Sequence, residues 1–280
     1  MPKVITLYKK EKSAKKETLE RIPRKSEKKE LSRAAITLAH VRENPEFRAL
    51  IETANNNLEV MGYTEHGLRH VGYVSKTAAN ILEELGYDAR TVELAAIAGF
   101  IHDIGNAINR KNHGPTGAVL AYNILTRMKM PPEEVSIIIG AIGNHEEQTG
   151  IPVNPVSAAL ILADKSDAHR SRVRKKYFDI GDIHDRVNAS IKKNYITVDR
   201  DKMAIRLFIF MDTKTSATME YLQIYLSRVV LSEQAAQYLN CSFELIINKS
   251  IINRRGPIPT GLVLEKGEKK VSDDTEANGK

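Results

Sequence analysis

From about residue 34 to about residue 190, apolar positions recur at helical spacing. In 66–85 the stripe is Val74, Ala78, Ile81, Leu82 and Leu85, and it extends backwards one turn to His70 and another to His66. Gly86 supplies the stop. A second helix, with Asp88 as its N-cap, runs through 94-LAAIAGFI-101. It is apolar nearly all round, which predicts the buried central helix, and it ends on His102-Asp103. His113, just before Gly114-Pro115, stands at a helix entry. The helix from about Pro132 carries Val135, Ile138, Ile139 and Ile142, with His145 three residues on. The helix from about Pro155 carries Val156, Leu160 and Ala163, with Asp164 four after Leu160.

The pattern changes after that. The strings 195-YITV-198 and 203-MAIRLFIFM-211 flank the turn-like 199-DRDK-202 and read as two strands. A helix follows from about Ser216, with Met219, Leu222, Leu226, Val229 and Val230 on one stripe, and a strand over 243–252 closes the series. The predicted fold is therefore mostly α: a helical bundle over 34–190, then a small α+β (β-β-α-β) domain over 195–253.

Composition narrows the setting of this 280-residue chain. Its single cysteine, Cys241, excludes an internal disulfide and a cysteine-built zinc site. No apolar run is long enough to span a membrane, and no apolar segment follows the first charges as in a secretory signal, so a cytoplasmic setting is the expectation. The formal charge of +7 resides in residues 1–33, with 12 Lys/Arg against 5 Glu, while the remainder balances. Such an arm is either a solubilising, disordered segment or a surface for nucleic acid, and the interspersed Glu and lack of aromatics favour the first. Residues 254–280 read as a disordered tail.

Each helical segment of the bundle thus delivers a His or Asp to its inner face. A buried ionised carboxylate without a partner costs several kcal/mol, and a cation is an efficient partner. Imidazole and carboxylate without thiolate suit Fe, Mn, Co, Ni or Zn.

The strings 70-HVGYVSKTA-78, 99-GFIHDIG-105 and 161-ILADKSD-167 carry a resemblance. His70, then His102-Asp103 at the end of an apolar helix, then Asp164 resembles the HD-domain superfamily of metal-dependent phosphohydrolases. The additional 113-HGPTGA-118 and 145-HEEQTG-150 resemble the two-metal subgroup, which includes symmetrical diadenosine-tetraphosphate hydrolases. The resemblance covers about residues 60–175 and implies an HD-type bundle. It implies that His70, His102, Asp103 and Asp164 hold one divalent metal, and that Asp103, His113 and His145 hold a second, with Asp103 bridging. It further implies hydrolysis of a nucleotide or related phosphate ester by a metal-bridging hydroxide. The chain departs from several HD subgroups at Asn106, where they carry a lysine.

Other roles follow less directly. His66, four before His70, is spaced as in the H-x-x-x-H of cyclic-nucleotide phosphodiesterases, which makes it a candidate general acid. Lys165 and the run 169-HRSRVRKK-176 place Lys165, Arg170 and Arg172 as candidates for substrate phosphate, the alternative being a solvated helix face. Glu146 and Glu147 are either orienters of a ligand histidine or surface acids. The competing function is a non-catalytic regulator that binds metal or nucleotide and signals through 195–253. The expected partner is a small phosphate substrate; strands of 195–253 pairing across a two-fold axis would give a homodimer.

Overall fold

Hydrophobic stripes and caps account for the order of elements in the computed structural model, which describes residues 35–173 and 179–253. The arm 1–33, the tail 254–280 and Arg174, Lys175 and Lys176 of the basic run lie outside the described residues. The unit from Ile36 onwards begins with α1 (Leu38–Glu43) and α2 (Pro45–Val60). Then come α3 (Leu68–Leu85), α4 (Ala89–Ile101), α5 (His113–Arg127), α6 (Pro132–Gly143) and α7 (Pro155–Ser166). The second part holds α8 (Ile183–Ser190), strands β1 (Ile191–Asp199) and β2 (Ala204–Met211), α9 (Thr218–Tyr238), and strands β3 (Ser242–Ile247) and β4 (Ser250–Ile251). The fold is a mostly helical bundle followed by a small mixed sheet with one helix, as the pattern predicts.

The central helix is α4. All residues from Leu94 to Ile101 are buried, because no face of that segment offers a polar group to solvent. Asp88 caps it by accepting from the backbone N–H groups of Arg90 and Thr91. Helix α3 ends at Gly86, whose φ of +84° is left-handed and favours glycine. Side chains such as Leu82, Ile97 and Leu160 are fully buried, each contributing about 1.5–3 kcal/mol of transfer free energy. Helices α3 and α4 approach closely where Gly99 faces the Ser75 backbone, and Ser75 Oγ donates to the Ala96 carbonyl at 2.7 Å.

The sheet has the order β1-β2-β3-β4. β1 and β2 are antiparallel; β2 and β3 are parallel, joined by the α9 crossover; β3 and β4 are antiparallel. Two readings of this part need correction. The first strand begins at Ile191, directly from α8, rather than at Tyr195. The single strand over 243–252 is two, because Asn248 and Lys249 both take positive φ (47° and 75°) and turn the chain, so the series is β-β-α-β-β. Along α9, Met219, Leu226 and Val230 of the apolar stripe are exposed. Its buried face is Tyr221, Tyr225, Val229, Ser232, Ala235 and Ala236, which packs against α7. That packing brings α9 beside the polar residues of the bundle. Among the described residues no helix is long and apolar enough to cross a membrane.

Candidate metal centre

The ends of five helices converge on Asp103. His102 is the C-cap of α4 and Asp103 follows it; His113 opens α5; His145 lies just past α6; His70 sits in the first turn of α3; Asp164 sits in the last turn of α7. His70, His102, Asp103, His113 and His145 are all at most 5% exposed.

The hydrogen bonds give every one of the four imidazoles the same orientation. His70 Nδ1 donates to Asp167 Oδ2 at 2.7 Å, His102 Nδ1 to the Gly99 carbonyl at 2.9 Å, and His145 Nδ1 to the Ile142 carbonyl at 2.6 Å. His113 Nδ1 donates to the Arg110 carbonyl at 3.0 Å, with Glu146 Oε1 at 3.1 Å. With Nδ1 committed as donor, each Nε2 keeps its lone pair, and all four point inwards. Asp103 Oδ2 lies 3.6 Å from His70 Nε2 and 3.4 Å from His102 Nε2. Asp164 Oδ1 lies 3.4 Å and 3.7 Å from the same two nitrogens. On the other side, Asp103 Oδ1 lies 3.4 Å from His113 Nε2 and 3.7 Å from His145 Nε2, and those two nitrogens are 3.1 Å apart.

This donor set fits a cation. Two groups, His70–His102–Asp164 and His102–Asp103–His145, bring their candidate ligand atoms within 4.8 Å of one another. A first-row metal about 2.1 Å from each of two donors sets them about 3–3.5 Å apart, close to these spacings. His70 Nε2 and His102 Nε2 are buried without a hydrogen-bond partner, a costly arrangement that a metal bond would relieve.

The protonation states suit the same role. Burial pushes the Asp103 carboxyl up, but His102, His145 and the other imidazoles outweigh it and hold it well below the usual carboxylate range. Asp164 is raised by burial and lowered further by Lys165 and by the neighbouring His102 and His70, ending well below it. Burial, then the neighbouring His145, lowers His113 to about 3. Ionised carboxylates beside a neutral imidazole are the forms that ligate.

The remaining candidates divide. His66 lies in the turn before α3, whose N-cap is Gly67, so the helix starts later than the stripe predicts. Its ring still meets His70, at a centroid distance of 5.2 Å. Its Nδ1 donates to the Thr64 carbonyl at 2.6 Å and its Nε2 accepts from Arg172 Nη2 at 2.8 Å. Burial and then Arg172 hold its pKa well below the usual imidazole value, and both ring nitrogens are engaged. Lys165 is buried and held by Asp164 Oδ2 at 2.6 Å and Glu147 Oε1 at 3.3 Å. Arg172 is buried too, donating through Nε to the Glu65 carbonyl, through Nη1 to the Asp167 carbonyl and through Nη2 to His66. Arg170 is exposed and does not line the cavity at the cluster. Lys165 is thus engaged by two carboxylates, Arg172 by two carbonyls and an imidazole at the edge of the cavity, and Arg170 stands away from it.

Two acids that sequence reasoning under-read complete the arrangement. Asp167, three after Asp164, orients His70 and is itself gripped by Arg69, through Nη1 at 3.3 Å and Nη2 at 2.7 Å. Glu146, directly after His145, accepts from Gly114 N at 2.5 Å beside His113. Asn106 Nδ2 donates to Asp103 Oδ1 at 3.0 Å. Gly105 permits the close approach of α5: a Cβ there would fall 1.9 Å from the His113 carbonyl and 2.6 Å from Gly117 N. Beside the cluster opens a cavity of about 1080 Å³, lined by His66, His113, Glu146 and Glu147, by Tyr63 and Arg110, and by Tyr225 and Arg228 of α9. Arg228 Nε donates to Glu147 Oε1 at 2.9 Å, so the C-terminal part supplies a wall of this cavity.

Comparison with known proteins bears on the same segment. Ribonuclease Y of Desulforamulus reducens is 33% identical over 108 residues, which is 39% of this chain and 20% of that protein. Ribonuclease Y of Oceanobacillus iheyensis is 32% identical over 118 residues, 41% of this chain and 21% of that protein. Ribonuclease Y of Wolinella succinogenes is 32% identical over 136 residues, 49% and 24% of the two. The chain therefore spans about a fifth to a quarter of the length of these curated relatives. A solved structure of a predicted HD superfamily hydrolase from an uncultured Thermotogales bacterium is 24% identical, covers 44% of this chain and 67% of that one, and has a TM-score of 0.36. These relatives lend no support to the diadenosine-tetraphosphate hydrolase subgroup. The family profile described as "HD domain" matches residues 67–182, the segment that holds every residue of the cluster.

Proposed function

We propose that the protein is a metal-dependent phosphohydrolase that cleaves a nucleotide or related phosphate ester at the Asp103 cluster. The observation that carries this reading is the pair of buried, partnerless lone pairs on His70 Nε2 and His102 Nε2, aimed at two ionised carboxylates. His70, His102, Asp103 Oδ2 and Asp164 would hold one divalent cation; Asp103 Oδ1, His113 and His145 would hold a second. Bound there, such cations supply Lewis acidity at a phosphoryl oxygen and acidify a water molecule. The chain's own part is to fix the donors. Asp167, Glu146 and the carbonyls of Gly99, Arg110 and Ile142 hold each imidazole by its Nδ1, so the lone pairs need no reorientation. The cavity of about 1080 Å³ has room for more than a mononucleotide. Together with the ribonuclease names of the relatives, that room supports a phosphodiester of a nucleotide or of RNA as the substrate class.

The test is elemental analysis of the purified chain beside Asp103→Ala. About two first-row metals per chain, lost in the variant together with hydrolysis of phosphodiesters, is the expected result. One metal would restrict ligation to the His70–His102–Asp103–Asp164 side. None after reconstitution with manganese, iron or zinc would overturn the reading and leave a regulatory HD protein.

A further inference from the structure

We propose that Arg110 binds the substrate's phosphoryl oxygens beside the Asp103 cluster, a role that rests on the phosphohydrolase reading above. Its position is set by three neighbours. The guanidinium lies over the Tyr63 ring, 5.5 Å from its centroid. Nη1 approaches Asn106 Oδ1 at 3.4 Å, and Asn106 in turn donates to Asp103 Oδ1 at 3.0 Å. The same Nη1 lies 3.3 Å from His113 Nε2, the atom that faces Asp103. Through its carbonyl, Arg110 also accepts from His113 Nδ1. The residue is thus tied to the cluster by main chain and side chain alike, and it lines the cavity.

The other cations near the cluster are paired. Arg69 is paired with Glu65 and Asp167, Lys165 with Asp164 and Glu147, and Arg228 with Glu147. Arg110 forms no ion pair with a carboxylate among the described residues. It meets an amide oxygen and a neutral imidazole at 3.3–3.5 Å, long contacts that leave most of its five donors available. A planar guanidinium stacked on an aromatic ring, half-shielded and facing a cavity, matches two oxygens of a phosphoryl group through parallel N–H donors. The ligand class is accordingly a phosphate mono- or diester whose phosphorus lies at the cluster. Nucleobase or sugar chemistry plays no part in this contact.

The test uses the full chain loaded with manganese. Three quantities are read: manganese content, the Kd of inorganic phosphate by calorimetry, and kcat and KM for bis-p-nitrophenyl phosphate. Arg110→Ala should keep its manganese and its melting temperature, while phosphate binding weakens about 10- to 100-fold and kcat/KM falls in step. Arg110→Lys should recover part of the binding, and it keeps the test informative should the alanine variant fold poorly. Unchanged phosphate affinity and unchanged KM in manganese-loaded Arg110→Ala would overturn the proposal. So would loss of manganese in both variants, which would place Arg110 in support of the cluster rather than on substrate. Failure of the wild-type chain to take up manganese would strike the phosphohydrolase reading instead. The phosphate titration of wild type against Arg110→Ala would then still decide the arginine's role.

Discussion

The cations on the two sides of the histidine cluster are engaged in opposite ways. On the side that follows α7, Lys165 and Arg172 are buried and every donor group has a partner: a carboxylate pair for the lysine, two carbonyls and an imidazole for the arginine. On the side that precedes α5, Arg110 stacks on Tyr63 and meets no carboxylate among the described residues. The first side is scaffold and the second is surface. Proximity to a ligand in sequence is therefore a poor guide to which cation can meet substrate. What decides is how many donors the fold has already consumed.

The comparison can be broken at the scaffold side first. Asp167 is the centre of that side, since it orients His70 and is held by Arg69. Asp167→Asn should lower metal affinity about 10- to 100-fold, measured by competition with a chelating indicator. Unchanged affinity would show that His70 needs no such support. A smaller effect is expected at Glu147, which joins Lys165 to Arg228. Burial raises its carboxyl, but Lys165 and Arg228 lower it more, to about 2 against an ordinary 4.5. A folded-state pKa below the unfolded one stabilises above about pH 4.5, and that contribution is lost as the pH falls towards 2. Thermal melts of Glu147→Gln should accordingly converge on wild type at low pH and fall below it near neutrality. Parallel curves at all pH values would contradict the coupling. The smallest effect is expected at Arg170, exposed and away from the cavity: Arg170→Ala should leave phosphate affinity and turnover within experimental error.

Much of this arrangement was legible in the sequence because the polar ligands continue apolar stripes. His70 precedes Val74 by one turn and Asp164 follows Leu160 by one turn, so the helical period alone puts them inside. Periodicity failed where a helix is apolar on two sides. On α9 the stripe through Met219, Leu226 and Val230 is exposed, and the Tyr221–Tyr225–Val229 face fills the space against α7. It also failed for hydrogen-bond chemistry. Asp167 lies in the quoted string 161-ILADKSD-167, yet nothing in its spacing says that it will accept from His70 rather than face water. The donors of Arg172 were invisible for the same reason: two of its three partners are main-chain carbonyls, which carry no residue signature.

Gly105 sets a tolerance that no bond in the cluster controls. Because the backbone of α5 presses into the space a side chain would take, the offset of His113 and His145 from His70 and His102 is a hard-sphere distance, insensitive to the chemistry around it. Any larger residue at this position would act as a wedge, prising one half of the cluster away from the other while leaving both sets of donors intact. The spacing between the two halves of the cluster is thus governed by one missing methyl group, at a position that offers no donor of its own.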